Sequence, residues 1–143
     1  MIRSDSKQWT AQKAVADEAE IELCELLASW GCVAGVQSIG HAPGADVAAV
    51  LTIEVKADGK AGSTGNAAIE MECRGRASGL QTTRAALWAI RACGEWFIVP
   101  VPTLKRLASA APVVGAAEAN RVALVPLAAL RPAALVVKRG AVR

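Results

Sequence analysis

The segment Thr52-Ile53-Glu54-Val55-Lys56 sets an acid and a lysine two residues apart inside an otherwise apolar run. In an extended segment successive side chains alternate faces, so Glu54 and Lys56 share one face and Ile53 and Val55 the other. Two charges on one face of an apolar strand cost free energy unless they face solvent or a site. Asp46 opens the same run and offers a second carboxylate. Two carboxylates and a lysine suit metal-assisted phosphodiester hydrolysis: the acids hold a hard cation, and the lysine orients or helps deprotonate the attacking water. On one continuous strand, parity puts residues 46 and 54 on the same face, but their Cα atoms then stand about 26 Å apart. A shared cation therefore requires a turn near Ala49-Val50-Leu51, which no Gly, Asn or Asp marks.

Other metal and nucleophile chemistries find less support. Cys24, Cys32, Cys73 and Cys93 form no CxxC pair, and His41 alone could join them as a nitrogen ligand, which argues against a zinc site. Free thiols in a reducing compartment are the expectation. The chain has 143 residues, enough for one domain with a single core. Its net charge of +3 suits a polyanionic partner without demanding one. No apolar run approaches the roughly 20 residues of a membrane helix, and the polar start MIRSDSKQWTAQK lacks a signal-peptide core. A soluble, cytoplasmic protein with no membrane partner is expected.

The elements that must carry these residues follow from periodicity. Lys7 to Trp30 predicts a helix, with Val15, Ala19, Leu23, Leu26, Leu27 and Trp30 on one stripe and Gly31 as its stop. Glu20 and Glu22 flank that stripe; most of the glutamates here read as a solvated face, but one of these two could reach a neighbouring site. Cys32 to Ile39 predicts a first strand, and residues 40–44 a loop on which His41 is solvated. Asp58 to Gly65 reads as a loop between strands that offers Lys60 to a backbone phosphate but lacks a GxxxxGK[ST] pattern. Asn66 to Cys73 predicts a strand with Ala68, Glu70 and Glu72 on one face. Thr82 or Thr83 is placed as the N-cap of a second helix over Arg84 to Ile90, whose free amides could also bind phosphate. Glu95 to Val99 predicts a strand, and Thr103 a cap for a short helix, Leu104 to Ala108. Residues 111–118 read as a mobile connection, Arg121 to Pro126 as a strand and Leu127 to Leu130 as a short helix, before a basic tail over 137–143. The order helix, three strands, helix, strand describes a single α/β domain on a mixed central sheet, with a short C-terminal elaboration.

With this order and these motifs the chain resembles the PD-(D/E)XK nuclease superfamily, whose restriction-endonuclease-like core is αβββαβ. It resembles most a small, phage-type group that combines an EVK-x-D element, TGN, an acid-bearing strand and SG-x-x-TT. Here these are Glu54-Val55-Lys56-Ala57-Asp58, Thr64-Gly65-Asn66, Ile69-Glu70 and Ser78-Gly79-Leu80-Gln81-Thr82-Thr83. The resemblance spans roughly Glu20 to Val101. It implies that Asp46 and Glu54, helped by the Val55 carbonyl, bind Mg2+, with Mn2+ able to substitute, and that Lys56 positions the water. Glu20, or Glu22, takes the place of an auxiliary catalytic acid, and Asp58 or Glu70 are the alternatives to Asp46. Lys60, Ser78, Thr82 and Thr83 would contact DNA. The scarcity of aromatics favours reading the backbone and shape of duplex or branched DNA over stacking on single strands. The implied activity is a metal-dependent DNA endonuclease acting on branched or structured DNA in a bacterial host. Because cutting both strands commonly takes two sites, a homodimer is attractive, although no residue demands one. The alternative is a non-catalytic nucleic-acid-binding or assembly module of the same fold, in which Glu54 and Lys56 are only an exposed ion pair. A third reading is an interaction domain without DNA contact.

Overall fold

A computed structural model of the protein describes residues 3–36 and 47–138. Asp46, His41 and the tail beyond Lys138 lie outside the described residues. Contacts divide the chain into two compact units, Met1–Leu51 and Thr52–Arg143.

The first unit begins with helix α1 (Arg3–Ser29), rich in the alanine, glutamate and leucine that helices favour. Gly31, at φ +84°, ends it; the Gly31 and Cys32 amides turn back onto the carbonyls of Ala28 and Leu27. The stripe expected as its buried face is largely open, with Val15 66%, Leu23 44% and Leu26 48% exposed. Strands β1 (Val33–Val36) and β2 (Val47–Val50) pair antiparallel, with Val33 opposite Val50. Among the described residues Cys32 is the one buried hydrophobic side chain of this unit.

The second unit holds the remaining strands. One sheet runs in the order β10 (Leu135–Lys138), β7 (Glu95–Pro100), β6 (Leu87–Ala92), β3 (Ile53–Ala57). It is mixed: β3 runs parallel to β6, and the other pairs are antiparallel. The other sheet is antiparallel and runs β5 (Arg76–Ala77), β4 (Asn66–Cys73), β9 (Asn120–Pro126), β8 (Val113–Val114). Two short helices, α2 (Ala61–Thr64) and α4 (Leu127–Leu130), and the longer α3 (Val101–Ser109) connect them. This is an α/β architecture with a mixed sheet. Trp88, Ile90, Phe97 and Val99 of the first sheet join Ala67, Ile69, Ala123 and Val125 of the second, with Leu104 of α3, Leu80 and Leu130, in one buried cluster. Each large side chain there contributes about 1.5–3 kcal/mol by leaving water.

Several expectations are corrected. The segment expected as a second helix over Arg84 to Ile90 is instead strand β6, reached through a single 3-10 turn, Gly79–Gln81. Neither threonine caps a helix there: Thr82 closes the 3-10 turn, and the Thr83 hydroxyl accepts the Ala85 amide at 3.2 Å. The alanines of this segment favour helix, but pairing with β3 and β7 and burial of Trp88, Ile90 and Ala92 on alternate positions outweigh that preference. The order helix, three strands, helix, strand does open the chain, as α1, β1, β2, β3, α2 and β4, but its second helix is the four-residue α2 and not the segment expected over 84–90. The apolar run does break near the required turn, between Val50 and Ile53, yet it makes no hairpin: β2 pairs with β1, and β3 with β6. Residues 61–64, expected as loop, form α2. Helix α3 starts two residues before Thr103, with Pro100 at its N-cap, a position where proline's fixed φ costs nothing. Part of the connection over 111–118 is strand β8, and the start of the basic tail, Val137 and Lys138, belongs to β10. Among the described residues no helix is long and apolar enough to cross a membrane.

Candidate functional site

Strand β3, an edge of its sheet among the described residues, carries Glu54 and Lys56 on one face as the alternation requires. Their side chains meet: Lys56 Nζ lies 2.8 Å from Glu54 Oε1, with the two side chains 44% and 39% exposed. At that exposure the pair adds little to stability, about 0–1 kcal/mol. Val55 points to the other face and is 60% exposed. In the parallel register Glu54 stands opposite Trp88 and Lys56 opposite Ile90. The Lys56 ammonium sits over the Trp88 ring, 5.5 Å from its centroid, within reach of a cation–π attraction.

A pocket of about 370 Å³ opens beside this face, bordered by Lys56, Asp58, Lys60, Glu70, Trp88 and Ile90 among others. It brings together two lysines and two acids from β3, β4 and the loop between β3 and α2. The acids are not equivalent. Asp58 Oδ1 accepts the amides of Lys60 and Ala61, each at 3.0 Å, and its Oδ2 accepts the Ala68 amide at 2.9 Å. It clamps the start of α2 and the adjoining part of β4, a structural role that the EVK-x-D spacing does not reveal. Glu70 Oε1 accepts the Ser78 hydroxyl at 2.7 Å. That bond occupies the only proton of a side chain expected to contact DNA. Gly79 makes the contact feasible: it adopts φ +53°, and a Cβ there would lie 2.3 Å from the Glu70 carbonyl oxygen. The Ser78-Gly79 pair is thus a fitting for the back of β4, and Thr82 and Thr83 are engaged in their own turn.

Of the expected site residues, Glu54 and Lys56 come together, and Lys60 and Glu70 share the pocket with Lys56. Asp46 lies outside the described residues, and Glu20 belongs to α1 of the first unit, where it is half-buried. Among the described residues no group of three or more acid, histidine or cysteine side chains is placed to hold a metal ion together. Sequence reasoning missed Trp88. Its side chain is 1% exposed, and its indole Nε1 has no hydrogen-bond acceptor among the described residues. A buried donor left so costs on the order of 1–3 kcal/mol. Alternation in Trp88, Ile90 and Ala92, read at period two, signals a strand with Trp88 on its buried face, but not its place beside β3.

Comparison of the chain with family models, with curated proteins and with solved structures finds no match.

Proposed function

We propose that the protein is a metal-dependent DNA endonuclease of restriction-endonuclease-like type, with β3 as the strand bearing its (D/E)XK element. The observation that carries this reading is the Glu54–Lys56 pair: an acid and a lysine in contact on one exposed face of an edge strand, with Lys56 on the rim of a pocket it shares with Lys60 and Glu70. The donors available are carboxylate oxygens, which suit a hard cation of the Mg2+ class. Glu54 would hold it, with the Val55 carbonyl as a second donor. When bound, such a cation polarises the phosphoryl group and lowers the pKa of a coordinated water. Lys56, beside the Glu54 carboxylate and over the Trp88 ring, would stay close enough, once the cation takes Glu54, to orient the attacking water by donating a hydrogen bond. Lys60, exposed on the pocket rim, supplies a second positive charge for the DNA backbone. Glu70 is braced by Ser78 and keeps one oxygen for the site.

Magnesium-dependent nicking of duplex or branched DNA tests this. Glu54→Ala and Lys56→Ala are each expected to lower the rate on the order of a hundredfold or more. Full activity in both variants overturns the assignment. A second reading, a nucleic-acid-binding module that does not cleave, is favoured by one observation: Lys56 already neutralises Glu54. Calorimetric titration separates the two, since a binding module takes up DNA but neither Mg2+ nor Mn2+.

A further inference from the structure

Among the described residues only β6 pairs with β3, so one side of that strand is open. An edge strand offers its unpaired backbone groups to a second strand. Which groups these are follows from the bonds already made. The Asp58 amide donates to the Arg91 carbonyl at 2.9 Å, and the Thr52 carbonyl accepts the Leu87 amide at 3.1 Å. Residues 52 and 58 thus turn their backbone toward β6, and by alternation so do Glu54 and Lys56. The amides and carbonyls of Ile53, Val55 and Ala57 point the other way, along the open edge. No proline or bulge interrupts that edge. Ile53 and Val55 also leave 48% and 60% of their surface exposed, on the face opposite the charges.

The charges decide what can pair there. A lysine on an edge strand ordinarily wards off a second copy of itself. In β3, however, Glu54 and Lys56 stand symmetrically about Val55. If two copies of the strand run antiparallel with Val55 opposite Val55, each Glu54 faces Lys56 of the other copy. Centred on residue 54 or 56, or run parallel, the same strands set like charges against each other, which destabilises the pairing. The register centred on Val55 also suits the backbone. Ile53, Val55 and Ala57 then form the hydrogen-bonded pairs, using the groups that β6 leaves free. The charged pairs fall at the non-hydrogen-bonded positions, where facing side chains come closest.

We infer that the open edge of β3 is a self-association site: two copies of the chain pair antiparallel about Val55 and continue the sheet across a two-fold axis. The two Glu54–Lys56 pairs then form one alternating group of four charges, and Val55 packs beside its own copy. The contact is only five residues long, so the dimer is a weak one that dissociates on dilution. It does not depend on whether the protein cleaves DNA.

Sedimentation equilibrium of the full chain is expected to show monomer and dimer in exchange. Glu54→Lys and Lys56→Glu each put like charges opposite one another and are each expected to weaken self-association about tenfold or more. Mixed in equal amounts, the two variants regain opposite charges at both positions and are expected to associate with each other, which also shows that both are folded. Amide exchange reads the edge directly. Exchange at Ile53, Val55 and Ala57 should slow as protein concentration rises, whereas Glu54, Lys56 and Asp58, bonded to β6, should not respond. A chain that stays monomeric at NMR concentrations overturns the assignment. So does a dimer that survives both charge reversals, or one that leaves exchange at residues 53, 55 and 57 unchanged. A chain that dimerises through this edge without magnesium-dependent nicking keeps the self-association site and loses the endonuclease reading.

Discussion

Three carboxylates on β3, β4 and the loop between them have different partners, and those partners separate function from scaffold. Asp58 receives three backbone amides, Glu70 a serine hydroxyl, and Glu54 a lysine. Losing Asp58 leaves amides of α2 and β4 without acceptors, so Asp58→Ala is expected to destabilise the protein by about 2–3 kcal/mol. Glu54→Ala removes only an exposed ion pair and should change stability by less than about 1 kcal/mol. Urea unfolding of the two variants checks the contrast; equal losses would contradict these roles. Glu54 and Lys56 were legible in the sequence because strand alternation is local and needs no knowledge of neighbours. The work of Asp58 was not, because an acid two residues beyond a lysine looks the same whether it faces a cation or a backbone. Trp88 was hidden for a similar reason: its place beside Lys56 depends on a parallel pairing between distant strands.

At the scale of elements, strands β4, β7 and β9 and helices α1 and α4 announce themselves by period and composition. Strand β6 does not, since Ala85, Ala86, Leu87 and Ala89 suit a helix and only its neighbours make it a strand. The missed clue is its exit. Cys93 and Gly94 form a two-residue turn with φ of +53° and +74° between the paired Ala92 and Glu95, the geometry that favours Asn-Gly. Cys93→Asn should therefore raise stability by about 0.5–1 kcal/mol, because asparagine tolerates the left-handed region better; thermal unfolding measures it. Strand β7 of this sheet carries a second electrostatic device. Arg131 grips both oxygens of Glu95, at 3.2 and 2.7 Å, and lies over the Phe97 ring. The hydrogen bond and charge of Arg131 hold the Glu95 carboxyl below the ordinary carboxylate range, and Glu95 in turn raises Arg131. A lowered acid pKa stabilises the fold above the unfolded value, near 4.3, and loses that contribution as pH falls through the folded value. The difference in melting temperature between the unsubstituted protein and Glu95→Gln should hold from neutrality to about pH 5 and shrink below pH 4. Arg131, already charged throughout that range, adds no slope of its own.

At the scale of the molecule, the buried cluster lies wholly within Thr52–Arg143, whereas among the described residues of Met1–Leu51 only Cys32 is a buried hydrophobic. A fragment of residues 52–143 is expected to unfold cooperatively near the melting temperature of the full chain, and a fragment of residues 1–51 to show no cooperative transition. Circular dichroism during heating tests both. A non-cooperative larger fragment would mean that its core depends on the first unit.

The contact between Lys56 and Glu54 carries one more consequence. The ammonium is a counter-ion tied to the acid by the chain itself, present at an effective concentration that no buffer cation matches. On the proposed reading a divalent ion would have to displace this resident competitor, and cleavage and ion uptake would respond in opposite directions when it is taken away. Lys56→Met should bind Mg2+ about two- to fivefold more tightly than the unsubstituted protein while losing cleavage, so that the tightest-binding form of the site is its idle one.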